Sequence, residues 1–119
     1  MIRPGQVAIL RFPNTDLSSG KPRPVLLIAQ VPRVHDDWLI CMLSTQLQHV
    51  SEGFDELLDQ SQSDFQSSGL KIASVVRIAR IAAVSANLLV GTIGEVDPER
   101  LKRVQGKLAN WIQGLQGPQ

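Results

Sequence analysis

Apolar residues in this chain come in short runs, and none is longer than the six at residues 38–43, WLICML. A bilayer span needs about 18 or more consecutive apolar residues, so no segment reads as transmembrane. Short apolar runs bounded by Pro, Gly, Asn and Asp instead mark buried β-strands. Residues 5–12 (GQVAILRF) read as the first strand, apolar on both faces at its centre. Residues 24–29 (PVLLIA) read as the second, closed by Pro32, and residues 38–43 as the third, entered from Asp36 and Asp37. Residues 13–21 (PNTDLSSGK) are dense in turn formers and form the loop between the first two. This pattern predicts an antiparallel meander.

Residues 46–70 are polar, and Phe54, Leu57 and Leu58 within them fit either a short strand or a helical turn. Residues 64–68 followed by Gly69 predict one helical turn with a glycine stop. Residues 74–81 (SVVRIARI) read as a half-exposed strand. Residues 88–96 (LLVGTIGEV) read as another, where Gly91 and Gly94 point to a bulge or a close backbone approach. The C-terminal segment predicts a helix, with Asp97 as N-cap, Pro98 in its first turn and Glu99 complementing the dipole. Leu101, Val104, Leu108, Trp111, Ile112 and Leu115 form one apolar stripe, and Arg100, Lys102, Arg103 and Lys107 fall on the other faces. The helix ends near Gly114 or Gly117 and must pack on the preceding strands.

The 119 residues suit a single domain over residues 1–119, able to bury roughly two-thirds of its unfolded surface. One cysteine, Cys41, excludes an internal disulfide; inside an apolar run it reads as a buried, inert thiol. The N-terminus has no apolar stretch before a small-residue cleavage site, which predicts a soluble, cytoplasmic protein. The net charge of +1 hides segregation: residues 1–33 carry +4, residues 34–70 carry −7 with no base, and residues 71–119 carry +4. Two basic ends brought together would attract a polyanion; a mosaic of solvated charges fits the same numbers.

His35 and His49 have no metal-ligand spacing to another His or a carboxylate, so no metal site is expected. No GxSxG, Walker or GxGxxG stretch occurs. What remains is Lys21-Pro22-Arg23-Pro24 entering one strand and Ser44-Thr45-Gln46 leaving the next. If these strands pair, Arg23 and Ser44 lie at the same sheet edge. Flanking prolines stiffen the backbone under Arg23, and its guanidinium offers a planar fork to phosphate. A surface ion-pair partner and a strand-ending turn would fit the same residues.

The opening Gly5-Gln6-Val7, followed by Phe12-Pro13-Asn14-Thr15-Asp16, resembles the start of the PemK/MazF family of toxins from bacterial type II toxin–antitoxin pairs. Lys21-Pro22-Arg23-Pro24-Val25-Leu26-Leu27-Ile28, Met42-Leu43-Ser44-Thr45-Gln46, Gly69-Leu70-Lys71 with Ser74-Val75-Val76-Arg77, and Gly94-Glu95-Val96 are similar to further family segments. Order and spacing agree over residues 5–113. Gln6 stands where members carry an acid, and Lys71-Ile72-Ala73 where they often carry Lys-Pro.

The resemblance implies a mainly β fold, an SH3-like β-barrel with a C-terminal α-helix packed on it. It implies a homodimeric, metal-independent endoribonuclease that needs no cofactor, acts on single-stranded RNA and leaves 2′,3′-cyclic phosphate and 5′-hydroxyl ends. Carried over, the catalytic arginine falls on Arg23 and the catalytic hydroxyl on Ser44. RNA contacts fall on Asn14, Lys21, Thr45, Gln46, Lys71, Ser74 and Arg77. The implied protein partner is a cognate antitoxin with an acidic, apolar tail. Two rivals stand beside this reading: a CcdB-like toxin that poisons gyrase through an apolar helix end, here Trp111, Ile112 and Leu115, and a catalytically inactive SH3-like binding module.

Overall fold

Alternating burial along short apolar strands builds one antiparallel sheet. The computed structural model describes residues 2–11, 21–32 and 35–114. Its strands are β1 (Gln6–Leu10), β2 (Arg23–Gln30), β3 (Asp37–Ser44), β4 (Glu56–Leu58), β5 (Ser74–Ser85) and β6 (Leu89–Glu95). Their spatial order is β4-β5-β3-β2-β1-β6, so the expected β1–β2–β3 meander is present. The helix α1 spans Pro98–Gln113 and stops at Gly114, which takes the left-handed conformation.

Successive residues of each central strand enter opposite faces, and both faces are buried. Val7, Leu26, Ile28, Cys41, Leu43, Leu58, Val76 and Ile78 form one core with Val104 and Leu108 of α1. Ala8, Leu10, Val25, Leu27, Trp38, Ile40 and Val84 form the other. Cys41 is fully buried, and burial, then the charge of Asp55, pushes its thiol up to about 12. It is an inert core residue, as its apolar run implies.

The mainly β fold with a C-terminal helix is the expected one, and its six-stranded sheet is barrel-like only loosely, because the end strands β4 and β6 do not pair with each other among the described residues. Beside β6, the Glu95 amide donates to the Ser67 carbonyl at 2.9 Å, so a loop occupies the edge a closing strand would need. That loop holds the predicted helical turn, with Ser68 N bonded to Asp64 O at 3.0 Å. Gly69 follows at φ +79°. Gly94 is the close approach its sequence position suggested: a Cβ there would collide with the Ser67 carbonyl oxygen. The bulges lie in the same strand: Ile93 and Val90 of β6 have no partner on β1, opposite the Val7–Ala8 and Ile9–Leu10 steps.

Four expectations need correction. β5 runs to Ser85, and its first residues, Ser74, Val75 and Val76, are buried rather than half-exposed. Asp97 sits at the N-cap position, but its carboxylate makes no cap bond; it accepts from Ser63 Oγ at 3.1 Å. Trp111 and Ile112, in the expected core stripe, are 43% and 65% exposed, because burial along α1 ends at Leu108. Trp111 instead meets the edge of Phe54 at 5.9 Å, and Leu115 lies outside the described residues.

Arg100, expected on an exposed face, is buried at 3% exposure. Its Nε and Nη2 donate to the two Asp64 carboxylate oxygens at 2.7 and 3.0 Å, its Nη1 to Glu56 at 2.9 Å and its Nη2 to Gln62 at 2.8 Å. Arg103 and Lys107 also reach Glu56, at 3.0 and 2.7 Å. Three of the four bases of α1, Arg100, Arg103 and Lys107, are therefore spent on the acidic middle of the chain rather than on a polyanion surface.

Candidate functional site

The sheet register brings the separated sequence motifs together. The β2–β3 pairing ends at Val25 and Met42, two residues from Arg23 on one strand and two from Ser44 on the other. On its other side Ser44 pairs with Val75 of β5, the last pair of that ladder, and Thr45 and Ser74 follow it on the two strands. Arg23 pairs with Leu10 of β1, which anchors the start of β2 in the sheet.

A cavity of about 510 Å³ opens over this junction. Arg23, Ser44, Thr45, Gln46, Ser74 and Arg77, all singled out from the sequence, line it. Lys21 and Lys71 are exposed but are not among its lining, and Asn14 lies outside the described residues. His49 and Arg80 line it as well, and sequence reasoning missed both.

Arg80 arrives through a bulge. Cys41 pairs with Ile81 while Met42 pairs with Arg77, leaving Ile78, Ala79 and Arg80 without partners on β3. In an unbroken strand Arg77 and Arg80 would point to opposite faces; extra residues re-aim side chains and let both reach the cavity. Asp55, nearly fully buried, supports the distorted segment. Its carboxylate accepts from the amides of Ile78 at 3.1 Å and Ser51 at 2.9 Å, and lies 3.8 Å from Arg77 Nε.

The polar groups are preset in complementary ways. Ser44 Oγ accepts the Gln46 amide at 3.0 Å, which fixes the oxygen and leaves its proton free to donate. Gln46 Oε1 accepts from Gln48 at 2.9 Å, leaving the Gln46 side-chain amide as a donor. Ser74 Oγ donates to the Ile72 carbonyl at 2.9 Å. Arg23 is exposed, and no described residue pairs with its guanidinium. Three arginines and no carboxylate line the described wall, so the cavity attracts anions. Among the described residues, no three His, Cys, Asp or Glu side chains converge as metal ligands. Among the described residues, no helix is long and apolar enough to cross a membrane.

The sequence matches the family model of the PemK-like, MazF-like toxins of type II toxin–antitoxin systems over residues 3–112. The chain belongs to this family. No curated protein sequence matches it. Among solved structures, the fold of this PemK/MazF-family toxin is similar to the Mycobacterium tuberculosis toxin MazF-mt6, with a TM-score of 0.65 and 16% identity, covering 94% of this chain and 99% of the other. It is also similar to a MazE-MazF structure from Deinococcus radiodurans, with a TM-score of 0.65, 16% identity and 97% of both chains covered. An endoribonuclease in complex with its cognate antitoxin, from a mycobacterial species, gives a TM-score of 0.64 at 18% identity, covering 99% of this chain and 100% of the other.

Proposed function

We propose that this toxin is a metal-independent endoribonuclease that cuts single-stranded RNA, including mRNA, and so arrests growth in the cytoplasm. A ribose 2′-oxygen attacks the adjacent phosphorus, the bond to the 5′-oxygen breaks, and 2′,3′-cyclic phosphate and 5′-hydroxyl ends remain. One observation carries the reading: an exposed guanidinium and a preset hydroxyl, Arg23 and Ser44, share one cation-lined cavity. Negative charge grows on the phosphorane oxygens, and preorganised donors aimed at it lower the barrier. Arg23 neutralises that charge, Ser44 donates to a phosphate oxygen, and Thr45, Gln46, Ser74 and Arg77 contact the flanking nucleotides. Lys21 and Lys71, both exposed, would add cationic contacts to the RNA outside the cavity, and Asn14 would be a further contact.

Because a guanidinium and a hydroxyl carry the chemistry, cleavage should persist in excess EDTA. Complete loss on chelation, restored by magnesium, would contradict this mechanism. A second reading, a gyrase-poisoning toxin, draws on the exposure of Trp111 and Ile112 at the end of α1. It predicts growth arrest with no RNA cut.

The toxin acts as a homodimer, since two copies about a two-fold axis lengthen a single cavity into a groove for several nucleotides. A cognate antitoxin neutralises it, as a cognate antitoxin accompanies the similar mycobacterial endoribonuclease. An acidic, apolar tail that folds on binding would set carboxylates against Arg23 and compete with RNA. Light scattering should give about twice 13.0 kDa. A strictly monomeric protein cutting RNA at full rate would remove the groove.

A further inference from the structure

The proposed cleavage needs a group to remove the 2′-hydroxyl proton, and the cavity wall narrows the choice. Guanidinium groups stay protonated near neutrality, so Arg23, Arg77 and Arg80 are poor bases. The hydroxyls and amide of the lining do not accept a proton there either. Among the described lining residues, His49 alone carries an imidazole, the side chain that most often serves as a general base.

Its attachment also suits the task. His49 ends a 3₁₀ turn, Leu47–His49, directly after the Ser44–Gln46 strand end. Its amide donates to the Gln46 carbonyl at 3.0 Å, while the Gln46 amide donates to Ser44 Oγ at 3.0 Å. His49 and the phosphate-holding Ser44 thus belong to one hydrogen-bonded turn, which packs against β5, the strand that carries Arg77 and Arg80. The other charged residues of the described lining are Arg23, Arg77 and Arg80, and Asp55 lies 3.8 Å from Arg77 Nε.

We propose that His49 is the general base of this site, a role that rests on the RNA-cleaving reading. An imidazole nitrogen takes the 2′ proton as the 2′-oxygen bonds to phosphorus. The P–O5′ pair leaves with the 5′-oxygen, which takes a proton from water, and the imidazolium returns its proton to solvent. His35 precedes β3 at the opposite end from Ser44 and lies outside the cavity lining, which makes it an internal control.

The test compares wild type, His49→Gln and His35→Gln on one single-stranded RNA across pH 5–9, with thermal melting as a folding check. His49 is exposed, so both variants should melt like wild type. His49→Gln should lose about 10²–10⁴-fold in kcat and lose the acid limb of its pH–rate profile. Added imidazole should partly restore His49→Ala. His35→Gln should match wild type. A His49→Gln rate near wild type, or an acid limb that persists in it, overturns the proposal while leaving the RNA-cleaving reading intact. A wild-type protein that leaves RNA uncut overturns both.

Discussion

Arg23→Ala should cut RNA at least about 10³-fold more slowly than wild type while melting at the same temperature. An arginine that neutralises charge in a phosphoryl-transfer transition state is worth about 10³–10⁵ in rate. Arg23 is exposed, and no described side chain pairs with it, so its truncation opens no core cavity and strands no buried partner. Arg23→Lys should remain well below wild type, because an ammonium keeps the charge but loses the planar fork. Ser44→Ala should cost about 10²–10³, the usual effect of removing one donor to a developing oxyanion. Cleavage is measured on purified protein under single-turnover conditions, alongside growth arrest on expression. An Arg23→Ala variant that cuts RNA and arrests growth like wild type would move the chemistry elsewhere.

The largest stability effect should come from a residue far from that cavity. Arg100→Ala removes the cation on which Glu56, Asp64 and Gln62 converge. Removing one partner of a buried ion pair typically costs about 3–5 kcal/mol, because the other charge stays buried without compensation. Domains have only about 5–15 kcal/mol in total, so the variant should be marginal at 37 °C. Urea unfolding measures this; a change under about 1 kcal/mol would mean the cluster contributes little.

The same cluster sets an acid limit. Burial pushes the Glu56 and Asp64 carboxyls up, but the hydrogen bonds and charges of Arg103 and Lys107, and of Arg100, outweigh it and hold both below the usual carboxylate range. Groups with lowered folded-state values stabilise the fold above their unfolded values. That contribution disappears as pH falls through the folded values. Stability should therefore fall below about pH 4, where unfolded carboxyls begin to bind protons. Arg100→Ala should show less of this acid loss than wild type.

Residues 5–12, 24–29 and 38–43 were legible as strands because each is an apolar run closed by Pro, Gly or Asp, and such runs sit in any buried sheet. Arg23 and Ser44 were legible as neighbours because antiparallel pairing needs only the strand ends. Arg80 was hidden, since alternation assumes an unbroken strand and the bulge between Arg77 and Ile81 breaks it. His49 was passed over because its spacing suggested no metal ligand, while its place on the cavity depends on a turn fixed by Ser44. Arg100 carried a signal that charge masked. It lies four residues before Val104 and eight before Leu108, so helical spacing puts all three on the buried face. Its partners came from the one segment, residues 34–70, that carries acids and no base. Trp111 and Ile112 continue the same apolar spacing beyond the point where burial along α1 stops, and periodicity alone cannot register where a neighbouring sheet ends.

Analysis of the ends left on a long single-stranded RNA bears most directly on the proposed chemistry. Purified wild-type protein, incubated with that RNA in excess EDTA, should yield discrete fragments with 2′,3′-cyclic phosphate and 5′-hydroxyl ends, and Arg23→Ala should yield none in the same time. Intact RNA with wild-type protein, or fragments bearing 5′-phosphate and 3′-hydroxyl ends, would contradict attack by the ribose 2′-oxygen in the Arg23–Ser44 cavity.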